Sequence, residues 1–345
     1  MRKRNYGIDL LRIVSMLMII VLHILGQGGI LRNMDLLSMK YSVAWFMEVA
    51  CYCSVNCYAL ISGYVGIEST YKHKNLLTIW LQTVFYTVLI TLAFVISGKI
   101  ELDIPLLVKQ FFPVYNEIYW YFTAYFAVYI LTPAYNCIVN HLPYKDLKRL
   151  LITCVIVFSL IPTVLRKPMF GVQMGSSFLW LSMLYIIGAF LKRYHIQEKM
   201  SSLRWFLLYV ASILSTCGCK LFGELIEAES YGAMFIAHNS PLMLTAGIAL
   251  VMVFSIFEFN GRWNRIIGVL SASSFSVYLI HVHPLIWNNI VELSCVWMSK
   301  LSILQMVCVM LAVAVGVYLA CWIIDIPRCF LFKKYINKLT TRLFG

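Results

Sequence analysis

Ten apolar stretches divide this chain of 345 residues, at positions 8–26, 41–63, 76–97, 118–139, 150–165, 178–191, 205–221, 237–257, 266–287 and 301–324. A helix rises about 1.5 Å per residue and the hydrocarbon core of a bilayer is about 30 Å thick, so about 20 helical residues cross it. Most of these stretches have that length. The fifth and sixth are shorter and are expected to tilt or re-enter, which sets a range of nine to eleven spans.

Composition closes the other routes. Hydrophobic residues make up 61% of the chain and charged residues 12%, against roughly 45–50% and about 25% in a soluble domain. So few charges cannot cover a water-facing surface, which excludes a soluble enzyme, a disordered chain and a nucleic-acid-binding domain. Transmembrane barrels show a two-residue alternation that these solid runs lack. With no water at that depth to satisfy the backbone, helices remain. The expected fold is all-α: a polytopic bundle of about ten transmembrane helices, forming a single membrane-embedded domain over residues 1–345. Its loops, none longer than about 20 residues, leave no room for an appended soluble domain.

The net charge of +13 follows the positive-inside rule. With the N-terminus in the cytoplasm, nineteen Lys and Arg residues fall on inside segments and eight on outside ones, Arg12 lying within the first stretch. The inside set includes Arg2, Lys3 and Arg4, then Lys72 and Lys74, and finally Arg328, Lys333, Lys334, Lys338 and Arg342. Cytoplasmic termini are therefore expected. The first stretch carries Asp9, Arg12 and His23 and no small-residue cleavage site, so it reads as a retained helix rather than a signal peptide. Of the eleven cysteines, nine (Cys51, Cys53, Cys57, Cys137, Cys154, Cys217, Cys219, Cys308 and Cys321) fall in or beside apolar stretches without a CxxC pair. They read as buried thiols packed like small apolar residues.

Ionisable groups inside a bilayer are costly and usually face a cavity or one another. On the first helix Asp9, Arg12 and His23 project within about 60° of one another, and Arg12 and His23 are separated by a rise of about 16 Å. One face thus carries a carboxylate and a guanidinium near the cytoplasm and an imidazole in the outer half. This predicts a polar tunnel running from Arg12 to His23, unless Asp9 and Arg12 form only an interfacial ion pair and His23 merely packs. Glu48 and His281 fall at a depth similar to that of His23. A carboxylate beside an imidazole would fix its tautomer and raise its basicity, as a general base needs. His283, beside Pro284, reads as structural. On a continuous helix His281 and His283 point about 200° apart, so no metal is expected. Gly63 reads either as a simple helix C-cap or as part of a functional segment. No GxGxxG, GxxxxGK[ST] or GxSxG motif is present, so nucleotide-phosphate loops and hydrolase elbows are not expected.

In order along the chain, several segments resemble the membrane acyltransferase family 3, whose members O-acylate bacterial surface carbohydrates. Tyr6-Gly7-Ile8-Asp9-Leu10-Leu11-Arg12, followed after ten residues by His23, is similar to the family's R-x10-H first helix. Ser62-Gly63-Tyr64 resembles its SGY/SGF segment. Tyr119-Trp120 through Leu131-Thr132-Pro133 resembles its WF…P helix, and Ser240-Pro241-Leu242 is also similar. Ser274-Phe275-Ser276-Val277-Tyr278-Leu279-Ile280-His281 resembles its sFsvYLiH helix, and Ile326-Pro327 its closing dipeptide before a basic tail. The SGNH-type extracellular domain of larger members is not expected within this chain, and Lys72, His73 and Lys74 stand where a clear arginine pair would be expected.

The resemblance implies an acyl donor, usually acetyl-CoA, arriving from the cytoplasm of a bacterial cell as co-substrate. It also implies a sugar hydroxyl on a surface polysaccharide or glycolipid precursor as acceptor. His23 matches the catalytic histidine and Arg12 its partner. The site then expected has His23, Arg12 and Glu48 as catalytic residues, Asp9, Arg12, Lys72 and Lys74 toward the donor, and Ser62, Tyr64, Trp120 and His281 around the substrate. His23 would act as general base or carry the acyl group itself. The rival readings are a transporter moving a small polar substrate through the same cavity, and a helical subunit of a glycan-assembly complex.

Overall fold

A computed structural model of the chain describes residues 4–336 and 342; Arg2, Lys3 and Lys338, counted above among the cytoplasmic charges, lie outside the described residues. Among the described residues every regular element is helical. The α-helices are α1 (Tyr6–Leu25), α2 (Met39–Tyr52), α3 (Ser54–Gly66), α4 (His73–Ile96), α5 (Ile104–Gln110), α6 (Trp120–His141), α7 (Tyr144–Val155) and α8 (Ile161–Leu165). They continue as α9 (Phe178–Arg193), α10 (Ser202–Leu225), α11 (Glu229–Gly232), α12 (Pro241–Ser255), α13 (Gly261–Ala272), α14 (Ser274–His281), α15 (Pro284–Ile286) and α16 (Ile303–Leu331).

Each of the ten apolar stretches contains a helix. Among the described residues seven helices are long and apolar enough to cross a membrane, or eight if the bent pair Gly261–His281 and Pro284–Lys300, inclined at 59°, is one span. The two remaining helices, α9 and α12, have 16 and 15 residues, short of the usual crossing length. Long apolar side chains such as Leu89, Ile130, Ile152, Leu214 and Leu311 are exposed. So large an outward apolar surface suits lipid rather than water. The chain is a multi-pass membrane protein. Exposure also corrects the reading of the cysteines: Cys51, Cys53, Cys57, Cys217 and Cys321 are buried, but Cys137 and Cys308 are exposed.

Polar residues start the helices where their backbone N–H groups lack partners. The side chains of Asn5, Ser38, Ser177, Ser201 and Ser240 each accept from an N–H in the first turn of α1, α2, α9, α10 and α12. Ser302 and Gln305 form a reciprocal capping box on α16.

Helix α1 runs through the centre. Its Ile8 and Leu11 join a core built with α3, α9, α10 and α12, while Ile13, Met16, Ile20 and Ile24 join another with α4, α14 and α16. The tightest crossing is between α3 and α9. A Cβ on Gly63 would collide with the Tyr185 carbonyl, and one on Gly188 with the Leu60 carbonyl. Reciprocal glycines let these two backbones touch, a device suited to lipid, where the hydrophobic effect gives helices little reason to associate. Gly63 is therefore no C-cap: α3 continues past it to Gly66 and is capped at Ile67.

Candidate functional site

His23 stands near the end of α1, at what we define as the upper end of the bundle. It lines a cavity of about 380 Å³ with Glu48, Tyr52, Tyr58, Trp120, Tyr121, His238, Tyr278 and Trp287 among the other walls. The ring is held on two sides. Its Nδ1 lies 3.2 Å from Nε2 of His281, and the Trp287 ring meets it edge-on with centroids 4.5 Å apart.

The direction of this hydrogen-bond chain follows from its far end. His281 Nδ1 lies 2.6 Å from the Val277 carbonyl, one turn back on α14. A carbonyl only accepts, so His281 carries its proton on Nδ1 and leaves Nε2 as an acceptor. His23 must then donate from Nδ1, which leaves its Nε2 as the basic nitrogen. Helix α14 is itself held in place: Gln82 on α4 donates to Ser276 Oγ at 2.7 Å, and Ser274 shares a 2.9 Å hydrogen bond with Tyr318 on α16. Nearby on α4 and α16, Asp325 accepts from Tyr86 and takes two bonds from Arg328, at 2.6 and 2.9 Å.

Two placements depart from the sequence expectation. Glu48 reaches the cavity, but His23 takes its hydrogen bond to His281 and not to that carboxylate; Glu48 Oε2 is buried without a partner. His281 is not a wall of the cavity but stands behind His23, nearly fully buried. Beyond a 59° bend after α14 the chain returns to α1. The turn is pinned by the N–H groups of Leu293 and Cys295, which donate to the Gln27 and Gly28 carbonyls at 3.0 Å each.

The lower end of α1 is different in kind. Asp9, 2% exposed, receives Arg12 at 2.5 Å and also pairs with Arg4. Arg12 looks into two cavities. One, of about 430 Å³, includes Arg4, Asp9, Tyr64, Glu68 and Lys192; the other, of about 210 Å³, includes Ser62, Tyr71, Asn75, Tyr125 and Tyr129. A larger groove of about 980 Å³ shares Arg4, Asn5 and Lys192 with the first. Lys192 lies 3.6 Å from Glu68 and over the Tyr64 ring. Lys72 and Lys74 line none of these cavities; Lys72 instead offers its carbonyl to Tyr129 at 3.3 Å. Ser62 and Tyr64 belong to the lower cavities, Trp120 lines the upper one and His281 lies behind His23 outside it, so the four residues grouped around a single substrate do not share one place.

Among the described residues the upper and lower cavities are separate, with tyrosines between them. Tyr58 lines the upper cavity and donates to the Arg12 carbonyl at 2.6 Å. Tyr121 lines the upper cavity and Tyr125, one turn along α6, the lower, with their rings near-parallel at 6.2 Å. This tyrosine partition fills the middle of the path. Nothing in the sequence signals it, because tyrosines on apolar helices read as core.

Three further residues of the site were missed. Arg4 and Lys192 supply cations at the lower end, and His238 joins the upper cavity from the turn before α12. The His238 ring lies between Tyr52, with centroids 4.6 Å apart, and Trp120, at 6.4 Å. Asn56 fixes that turn by donating to the His238 carbonyl at 2.7 Å while accepting from Trp180 Nε1 at 3.0 Å. Ser240, an N-cap two residues on, was the available signal that this segment is an ordered turn.

A sequence model of an acyltransferase domain matches residues 5–326, nearly the whole chain. The chain belongs to the membrane acyltransferase family 3. No curated protein and no solved structure shows a significant match. In this family-3 acyltransferase the motif segments noted above meet in space. The α1 motif supplies Arg12 and His23, the α14 motif supplies the histidine behind His23, and Ser62-Gly63-Tyr64 packs α3 against α9 while opening Ser62 and Tyr64 to the lower cavities.

Proposed function

We propose that this protein is an O-acyltransferase that takes an acyl group, acetyl in the first instance, from acyl-CoA at the cytoplasmic face of a bacterial inner membrane. The acceptor is a hydroxyl of a surface polysaccharide or glycolipid precursor, both chain termini lie in the cytoplasm, and the bundle makes ten crossings with α9 and α12 as short ones. The observation that carries the reading is the His23–His281–Val277 hydrogen-bond chain, which leaves a basic nitrogen on a ring that lines a cavity.

At the lower end Arg4, Arg12 and Lys192 supply positive charge for the donor's phosphates, with Asp9 aligning the two arginines. The pantetheine arm runs upward along α1, across a rise of about 16 Å, once the tyrosine partition parts. His23 Nε2 accepts the proton of the acceptor hydroxyl as its oxygen attacks the thioester carbonyl. The carbon–sulfur bond breaks, CoA leaves as thiolate, and the imidazolium returns the proton to it. Donation from Nδ1 to His281 stabilises the imidazolium formed in between, which favours the base role over a covalent acyl-histidine.

The test is acyl transfer by purified protein in lipid nanodiscs, from labelled acetyl-CoA to candidate glycans, comparing wild type with His23→Ala. General-base catalysis contributes roughly 10²–10⁴-fold, so the variant should fold and retain about 1% of the activity or less. Substrate counterflow without any acyl transfer would instead establish a transporter.

A further inference from the structure

The upper cavity has a charge pattern that the acyl-transfer reading leaves unused. Of the residues lining it, Arg32 alone is a Lys or Arg, and it is exposed, on the loop between α1 and α2. Among the described residues Arg32 makes no hydrogen bond or ion pair, although the other arginines near the site, Arg4 and Arg12, are held by Asp9. Deeper in the same cavity lies the carboxyl of Glu48, 9% exposed and with an unpartnered oxygen. The near-parallel rings of Tyr52, His238 and Trp120 line the same cavity.

Resting on the acyl-transfer reading above, we propose that the acceptor is an acidic glycan whose carboxylate or phosphate binds Arg32 at the rim of the upper cavity, while a neutral portion of the sugar lies against the Tyr52–His238–Trp120 rings and turns a hydroxyl to His23. The order along the cavity follows from electrostatics. An anion at the buried depth beside Glu48 would lose its hydration with no cation to pair with, whereas at the rim a guanidinium offers paired donors to carboxylate or phosphate. Glu48 is placed to hydrogen-bond a sugar hydroxyl, the group it lacks in its buried position. Aromatic walls with a few convergent polar groups are the usual construction of a small-molecule site. Arg32 is thus a specificity residue: it selects the acceptor and takes no part in the proton transfer.

The same chemistry could come from a lipid headgroup, so the test separates the two sources. Protein in nanodiscs of phosphatidylcholine is given acetyl-CoA with a glucuronate-containing oligosaccharide, its carboxyl-reduced neutral counterpart, and a phosphate-bearing oligosaccharide. We expect kcat/KM to favour the acidic acceptors by about tenfold, the scale of one charge-assisted hydrogen bond at a wet rim. Arg32→Gln should bring the ratio close to one, Arg32→Glu should invert it, and Arg32→Lys should keep most of it. Binding of acetyl-CoA by calorimetry reports that each variant is folded. Equal use of acidic and neutral acceptors by the wild type would overturn the inference while leaving the acyltransferase reading intact. So would an equal loss on both acceptors in Arg32→Gln, or an Arg32→Gln effect that tracks added phosphatidylglycerol rather than acceptor charge. Wild-type protein that acylates none of the acceptors refutes the acyltransferase reading itself.

Discussion

Removing the support behind His23 gives the sharpest test of the relay. His281→Leu keeps a similar volume in a nearly fully buried position but deletes the acceptor of the Nδ1–H of His23. A hydrogen bond to a group that becomes charged contributes roughly 1.5–3 kcal/mol. The 3.2 Å separation is at the long end of the normal range, which argues for about 1.5–2 kcal/mol. At 1.36 kcal/mol per factor of ten, the variant should lose about 10- to 30-fold in kcat. The donor KM should stay unchanged, because the lower cavities are untouched. His281 acts only through His23, so the two losses should not add: His23→Ala/His281→Leu should be no slower than His23→Ala alone. The assay is steady-state acetyl transfer in nanodiscs, with the folded fraction measured by size exclusion. A His281→Leu enzyme as fast as wild type, or a double variant slower than His23→Ala by the full single-variant factor, would refute the relay.

Four other outcomes follow from the geometry. Asp9→Asn releases both Arg4 and Arg12 and should raise the acyl-CoA KM by about tenfold with kcat little changed, read from initial rates against donor concentration. Tyr121→Ala opens the partition between the cavities; water should then reach the thioester, and acceptor-independent release of CoA thiol should rise several-fold. Gly63→Ala forces a methyl group into the Tyr185 carbonyl and should cost about 1–3 kcal/mol of stability. Gly218→Ala, with nothing within 4 Å of the new methyl group, should be neutral or stabilise by up to about 1 kcal/mol; thermal unfolding in detergent separates the two glycines.

Much of the site was legible in α1 alone. A helix fixes the angular placement of its own residues, so three ionisable groups at positions 9, 12 and 23 share a face whatever surrounds them. Depth was legible for Glu48 and His281 for the same reason. Depth is not contact, however. Which of these two meets His23 depends on how α2 and α14 lean against α1, and that is set by Ser276 on Gln82, Ser274 on Tyr318 and the bend after His281. The lysines at 72 and 74 were read by charge and side of the membrane, which cannot distinguish a cation lining a cavity from one pointing past it. Arg4 and Lys192, far apart in sequence, fill that role because α1 begins where α9 ends, around the same cavity.

By itself the sequence determined that this chain lives in a bilayer, that its secondary structure is helical, and that one face of the first helix bears three ionisable groups. Hydrophobic length and helical period are local properties and need no partner. The partner of the imidazole, the division of the path by tyrosines and the free arginine at the rim were decided only by the packed bundle. Each is a relation between side chains on different helices, and helix crossings in lipid are set by close backbone contact and a few buried hydrogen bonds, neither of which leaves a periodic trace.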